Sequence, residues 1–146
     1  HVLELKKNIK ILPLICYEVI FPRITKPKKN NYDLIVNITN DAWFGNSRGP
    51  YQHLALAKIR AVLEGKYMVR VANTGISSII DFNGNIKSKL SLGTSGVIEE
   101  KLVLYKNNTL YNYFGDSIFF IFLLMLTLIL IIINFKNGFR KKYERK

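Results

Sequence analysis

Short apolar runs separated by polar, glycine-containing segments occupy the first hundred residues of the chain. The run ILPLICYE at 11–18 predicts a strand buried on both faces, because its apolar residues do not alternate with polar ones. The further strands that the pattern predicts span 2–5, 34–39, 67–73, 76–82, 85–90 and 97–104, with Asn83-Gly84 as a hairpin turn. Because a helical segment is inserted between the strands, this order predicts an α/β fold with a mixed sheet and helices on one face.

The inserted helix is predicted to begin at Pro50, to be capped by Ser47 or Gly49, and to end at Gly65. Apolar residues recur along one of its faces, at Tyr51, Ala55, Ile59 and Val62. Polar residues share the opposite face, at His53, Arg60 and Glu64. The apolar face is therefore predicted to pack on the sheet and the polar face to meet water. His53 is accordingly interpreted as a surface or capping residue rather than a catalytic base.

The segment 118–135 has only two polar residues, Thr127 and Asn134, in eighteen positions. Its length approaches the ~20 residues that a helix needs to cross a bilayer, which favours a transmembrane helix over a central helix of a soluble core. The chain has a net charge of +12, and 136–146 is rich in lysine and arginine. Under the positive-inside rule this tail is predicted to be cytoplasmic and the preceding domain extracytoplasmic. A nucleic-acid-binding arm is the alternative for the tail, but a topology signal suits its position better, so no nucleic-acid partner is predicted.

Four regions follow from these patterns. An α/β domain is predicted at 1–108, a connector at 109–117, the transmembrane helix at 118–135 and the basic tail at 136–146. Because the chain opens with His1 rather than methionine, we expect the sequence to begin within a longer protein.

Cys16 is the only cysteine, so an internal disulfide is excluded. It lies at the end of the first apolar run, where a thiol can act as a nucleophile if a nearby base or positive charge favours the thiolate. A buried free cysteine more often behaves as a small apolar side chain, so the residues alone leave both interpretations open. Tyr17 would point away from Cys16 along a straight strand, but Pro22 and Arg23 predict a bend.

The segment PLICYEVIFP at 13–22 resembles the nucleophile segment of bacterial apolipoprotein N-acyltransferases, the membrane branch of the nitrilase, or carbon–nitrogen hydrolase, superfamily. Further stretches match the same pattern in order: NDAWFG and GPYQH within 40–53, RAVLE and RVANTGIS within 60–77, DFNG at 81–84, and TLY and GD within 109–116. The resemblance implies a partial nitrilase-like α-β-β-α sandwich followed by one carboxy-terminal transmembrane helix.

By this resemblance, Cys16 is the nucleophile of a Glu-Lys-Cys triad. It would accept an acyl chain from a membrane phospholipid as a thioester and pass it to the α-amino group of the diacylglyceryl-modified cysteine of an apolipoprotein. Tyr17 and Glu18 match the family motif and would support the site, with Glu18 orienting its neighbours by charge-assisted hydrogen bonds. The implied location is the bacterial inner membrane.

Trp43, Phe44 and Gly45 would line the entrance for the acyl chain or head group. Simple packing at the end of a strand is the alternative for the two aromatic residues, because large aromatic side chains commonly fill cores. The resemblance implies no cofactor and no metal.

The sequence departs from the family upstream of Cys16, where the family carries its general-base glutamate and its lysine. Glu4, Lys6, Lys7 and Lys10 match neither motif, so the two roles are not transferred to them. Since members of a triad act as a unit, the chain by itself is predicted to be inactive. Two other functions stay open: a membrane-tethered nitrilase-type amidase with water as acceptor, and a non-catalytic remnant of a split gene.

Overall fold

The computed structural model describes residues 2–5, 8–25, 31–104 and 108–143, with side chains as far as Lys136. It divides into two compact units, His1–Tyr113 and Phe114–Lys146, which are described separately. The predicted basic tail lies outside the described side chains except for Lys136, and Lys6 and Lys7 lie outside the described residues.

Six strands of the first unit form one sheet, in which they follow each other in chain order. They are β1 (Leu3–Glu4), β2 (Lys10–Ile15), β3 (Leu34–Asn40), β4 (Tyr67–Asn73), β5 (Ser77–Ile80) and β6 (Ile86–Leu90). β2, β3 and β4 run parallel, whereas β1, β5 and β6 pair with their neighbours in antiparallel orientation. The mixed sheet predicted from the sequence is confirmed.

The helices are α1 (Pro22–Thr25), α2 (Gly49–Glu64), α3 (Leu110–Phe114) and α4 (Ser117–Tyr143), of which the first three begin in the first unit. The core lies on one face of the sheet, where Ile35 and Met68 pack with Ala57 and Ala61 of α2. On the other face Ile38 remains about half exposed, as do Ile15 and Val71. The prediction that helices cover one face of the sheet is therefore confirmed.

The predicted faces of α2 are wrong, because its polar face is the buried one. The buried residues of this helix are Pro50, His53, Leu54, Ala57, Arg60, Ala61 and Glu64. Tyr51 is 57% exposed and Ile59 is 54% exposed. Two alanines let the helix approach the sheet closely, and Arg60 and Glu64 can be buried since they form an ion pair with each other. A hydropathy pattern counts such polar residues as solvated because it does not see their partners.

The ends of two elements differ slightly from the prediction. The first apolar run leaves the sheet at Ile15, and α2 begins at Gly49 rather than Pro50. The prediction that Ser47 or Gly49 caps the helix is wrong, because the N-cap is Arg48, which makes no side-chain cap hydrogen bond; the Ser47 hydroxyl accepts the Gly49 N–H at 3.1 Å just before the first turn. Gly65 ends the helix in the left-handed conformation, with φ of 63°, as predicted.

The segment 97–104, predicted as an edge strand, forms no strand. Val97 and Ile98 instead line a groove with Val69 and Val71, which lie on the sheet face away from α2. The start of the segment therefore lies beside this face of the sheet, and the segment adds no strand to the edge. Alternation alone cannot distinguish an edge strand from a segment that only lies beside a sheet face, because it does not show whether the backbone finds a strand to pair with.

The second unit consists mainly of α4. Residues Ser117–Lys136 form a helix of 20 residues with a mean hydropathy of 3.0, long and apolar enough to cross a membrane. At 1.5 Å per residue the segment is about 30 Å long, which matches the hydrocarbon core of a bilayer. Its apolar side chains are exposed, as expected of a helix that crosses a membrane rather than one that fills a core.

Candidate active site

Cys16 lies in a tight turn at the carboxyl end of β2. It begins a 3-10 helix, Cys16–Ile20, and has a positive φ of 50°. This left-handed conformation costs a residue other than glycine about 1–2 kcal/mol, so contacts must hold it. One such contact lies within the turn itself: the carboxylate of Glu18 accepts a hydrogen bond from the Ile15 N–H at 2.7 Å. The bend predicted after the strand is present, and it leaves Cys16 half-buried.

The parallel register of β2 and β3 places polar residues beside this turn. Ile15 pairs with Ile38, so β3 continues past the end of β2 and brings Thr39 to the cysteine. The Thr39 hydroxyl lies 3.6 Å from Cys16 Sγ and 3.1 Å from Asp41 Oδ1. Since a hydroxyl has one hydrogen, Thr39 either accepts the S–H while donating to Asp41, or donates to a thiolate.

Asp41 is the centre of a buried polar cluster behind the cysteine. Its Oδ2 accepts a hydrogen bond from Arg70 at 2.7 Å, and its Oδ1 is 2.9 Å from His53 Nδ1. The side chains of Asp41 and Arg70 are fully buried. With three donors on one carboxylate, counting Thr39, the negative charge is compensated within the fold.

Asn37 links this cluster to the main chain of the turn. Its amide nitrogen donates to the carbonyls of Leu14 at 3.1 Å and Cys16 at 3.3 Å. Its oxygen accepts a hydrogen bond from Arg70, which assigns the orientation of the amide. Asn37 is completely buried, so all of these groups are shielded from water.

Electrostatics favour a neutral His53 beside a charged Arg70–Asp41 pair. Burial lowers the pKa of His53, although its hydrogen bond to Asp41 opposes this change. Nδ1 then carries the hydrogen that is donated to Asp41, so the contact of 3.2 Å between Arg70 and the same nitrogen is not a hydrogen bond. Burial also lowers the pKa of Arg70, and the charges of Asp41 and Cys16 act in the opposite direction.

Three aromatic rings meet above the buried cluster. Tyr17 stacks on His53 with ring centroids 5.0 Å apart, and Phe44 meets both rings edge-on. Phe44 packs directly on Gly49, where an added Cβ would lie 2.3 Å from the ring. Trp43, by contrast, is 87% exposed.

A second buried polar cluster lies elsewhere along α2. The Tyr32 hydroxyl donates to Glu64 at 2.7 Å, and Arg60 lies 3.1 Å from the other oxygen of that carboxylate. Burial, reinforced by Glu64, raises the pKa of Tyr32 well above its usual range. Arg60 also donates to the Thr25 hydroxyl at 3.0 Å, so this cluster connects α1 to α2.

Comparison with known proteins places this architecture in a family. The carbon-nitrogen hydrolase family matches residues 2–106, which is most of the chain. The chain belongs to the carbon–nitrogen hydrolase family. The fold agrees: an amidase from Nesterenkonia sp. AN1, solved after Michael addition of acrylamide at its active-site cysteine, aligns with a TM-score of 0.51 and 20% identity. That alignment covers 63% of this chain and 38% of the amidase.

Relatives of this chain include proteins named apolipoprotein N-acyltransferase. The one from Rickettsia bellii is 47% identical over 127 residues, which are 81% of this chain and 25% of the relative. The one from Rhodopseudomonas palustris is 46% identical over 116 residues, which are 80% of this chain and 22% of the relative. The chain therefore spans about a quarter of the length of the curated relatives that it matches.

The structure brings only some of the predicted site residues together. Tyr17 follows Cys16 in the turn and its ring meets that of Phe44, whereas Trp43 is exposed to solvent. Glu18 binds the backbone of its own turn, and Gly45 follows the 3-10 helix Ala42–Phe44 with a φ of 53°.

The buried cluster was not predicted from the sequence, and the predicted surface or capping role of His53 is wrong, because this side chain is 2% exposed. A signal was present for two members, since Asn37 and Arg70 are polar residues in the middle of mostly apolar strands. Their burial indicated paired groups. Within the described part of the chain, no group of three or more metal-ligating side chains is found.

Proposed function

We propose that this chain is the cysteine-bearing, carboxy-terminal part of an apolipoprotein N-acyltransferase. The observation that carries the proposal is the identity of 47% and 46% with relatives of that name, over about four-fifths of this chain. Membership of the carbon–nitrogen hydrolase family adds support, since the shared segment contains the turn at Cys16.

Cys16 is the proposed nucleophile. Its sulfur attacks an ester carbonyl of a phospholipid, so that a C–S bond forms, the C–O bond to glycerol breaks, and the thiol proton leaves with the lysophospholipid. The α-amino nitrogen of a diacylglyceryl-modified apolipoprotein then attacks the thioester. A C–N bond forms, the C–S bond breaks, and the amine returns a proton to the sulfur. Two moderate barriers thereby replace one high barrier.

The neighbouring residues have supporting roles in this proposal. Glu18 stabilises the turn through the Ile15 N–H, and Tyr17 packs over the buried cluster beside Cys16. Trp43, Phe44 and Gly45 line the substrate entrance. The exposure of Trp43 supports this role, because an exposed indole is available to contact acyl chains or head groups.

The segment Ser117–Lys136 is the proposed membrane anchor. In the bacterial inner membrane, the Cys16 unit would lie on the extracytoplasmic side and the basic tail in the cytoplasm. The cluster of lysine and arginine after residue 135 supports this orientation.

The test measures the intact mass of the protein, expressed together with whatever coding sequence precedes residue 1 and purified from membranes. Incubation with phospholipid alone should add the mass of one acyl chain, and Cys16→Ala should abolish that adduct. Hydroxylamine should remove the adduct, as expected for a thioester. Addition of a diacylglyceryl peptide should discharge the acyl chain onto the peptide amine.

Two outcomes would overturn the proposal. An adduct that persists in Cys16→Ala would exclude this residue as the nucleophile. Release of ammonia from short amides without acylation of the peptide would instead favour a membrane-tethered amidase. Trp43→Ala is a useful companion variant, since it should slow transfer from phospholipid and leave the fold intact.

A further inference from the structure

The strained turn at Cys16 is stabilised by Asn37, a residue of the neighbouring strand β3. Cys16 has a φ of 50°, and the Asn37 amide binds carbonyls on both sides of Ile15, those of Leu14 and Cys16. A left-handed residue persists when its surroundings determine it fully. The two hydrogen bonds of Asn37 do so from the neighbouring strand β3.

Asn37 can hold the turn only if its amide has one orientation. A flipped amide would present its oxygen to the two carbonyls and would repel them. Arg70 prevents this flip, because its guanidinium has only donors and binds Asn37 Oδ1. The buried arginine of β4 thereby acts on the backbone of Cys16 through one intermediate side chain.

The same guanidinium also orients the group that meets the sulfur. A second nitrogen of Arg70 binds Asp41 at 2.7 Å. Asp41 in turn accepts the hydroxyl of Thr39, which lies 3.6 Å from Cys16 Sγ. Because the fork of an arginine is planar and rigid, the positions of Asn37 and Asp41 are linked to each other.

We propose that Arg70 is a positioning residue for Cys16, acting through Asn37 on the backbone and through Asp41 and Thr39 on the sulfur. This inference rests on the proposed function in one respect, namely that Cys16 is the nucleophile. It adds four residues outside the family triad, Arg70, Asn37, Asp41 and Thr39, that set where the sulfur points and how readily it reacts.

The charges around the sulfur are consistent with this role. Arg70 approaches from β4, Asp41 from the end of β3 and neutral His53 from α2, while Glu18 belongs to the same turn and binds the Ile15 N–H. The carboxylate of Asp41 by itself would disfavour a thiolate. The guanidinium offsets it, and the Thr39 hydroxyl supplies a donor that can rotate from Asp41 to the sulfur.

The first experiment compares Arg70→Lys with Arg60→Lys. Both variants are made in the protein expressed together with whatever coding sequence precedes residue 1, and are purified in detergent. Both arginines are 1% exposed and both bind a buried carboxylate, but the partners of Arg60 are Glu64 and Thr25. A lysine keeps the charge and loses the fork. Two quantities are measured: the rate of alkylation of Cys16 by iodoacetamide from acid to alkaline pH, and kcat and KM for acyl transfer.

We expect Arg70→Lys to slow alkylation near neutral pH about tenfold more than Arg60→Lys, with a smaller difference at alkaline pH. kcat should fall about tenfold or more with little change in KM, since a misplacement of about 1 Å can cost about 100-fold in rate. Equal effects of the two variants on alkylation and kcat would overturn the proposal. If wild-type protein transfers no acyl chain but the alkylation difference is found, the proposed function fails and the positioning role stands.

A second pair of variants keeps the test valid if Arg70→Lys does not fold. Thr39→Val removes the hydroxyl beside the sulfur and retains the ion pair, whereas Thr39→Ser retains the hydroxyl. The proposal requires that Thr39→Val slow alkylation near neutral pH about tenfold and that Thr39→Ser restore most of the rate. Identical rates for the two variants would contradict it.

Discussion

Gly75 leaves no room for a side chain beside Asp41. A Cβ added at this position would lie 2.5 Å from Asp41 Oδ2, 2.8 Å from Asp41 Cβ and 2.8 Å from Ala72 Cβ. Ordinary contacts of a Cβ begin at 3.4 Å, so Gly75→Ala requires a shift of nearly 1 Å. Asp41 cannot move that far without breaking its hydrogen bonds to Arg70 and His53.

The cost can be worked out from these contacts. Overpacking a dense interior costs about 1–3 kcal/mol, and the loss of one hydrogen bond to a charged group costs about 1.5–3 kcal/mol. The protein can either tolerate the overpacking or move Asp41 and lose a hydrogen bond, so the two contributions are not fully additive. We expect Gly75→Ala to lower the free energy of unfolding by about 2–3 kcal/mol. At about 4 °C per kcal/mol for a unit of this size, Tm should fall by about 10 °C.

The assay heats the intact protein in detergent and follows the unfolding of the Cys16 unit by a short pulse of protease. Gly96→Ala is the matched control, since an added Cβ there is 3.2 Å from the flexible end of Leu90. A Tm for Gly75→Ala within about 2 °C of that control would refute the reasoning, because Asp41 would then be free to move.

Two further predictions concern His53 and Tyr32. Burial lowers the pKa of His53 in the folded state, so its contribution to stability is complete above about pH 6.5 and is lost as the pH falls from there towards the folded-state value. Between about pH 7.5 and about pH 5, Tm should therefore fall less in His53→Asn than in wild-type protein, because asparagine keeps a donor for Asp41 but does not titrate. The same fall in Tm in both proteins would contradict this. Tyr32→Phe removes the hydrogen bond to buried Glu64 and should cost about 1–2 kcal/mol by the same assay, whereas Tyr113→Phe, at an exposed site, should cost less than about 0.5 kcal/mol.

The sequence indicates most of the framework because the framework depends on local patterns. Apolar runs predict β2, β3 and β4, Asn83-Gly84 predicts the hairpin, and Gly65 predicts the end of α2. Each of these signals arises from neighbouring residues, whose conformational preferences act within a few positions of one another.

Pairing between distant residues decided what local patterns could not. The polar face of α2 is buried since Glu64 meets Tyr32 and Arg60. The segment 97–104, predicted as an edge strand, forms no strand, and its first residues lie beside Val69 and Val71. Tyr32 lies more than twenty positions from Glu64 along the chain, and so do Val69 and Val71 from Val97. Only the pair Arg60–Glu64 is local, within α2.

For the candidate site, the sequence by itself identified Cys16 as the only thiol that could act as a nucleophile, and the motif around Cys16 predicted that role. Only the tertiary structure placed Asn37, Asp41, His53 and Arg70 behind it. These residues come from two strands, the turn after β3 and a helix, and a polar side chain in an apolar strand shows only that it needs a partner. The parallel register of β2, β3 and β4 supplies that partner, because it brings the ends of the three strands to one edge of the sheet.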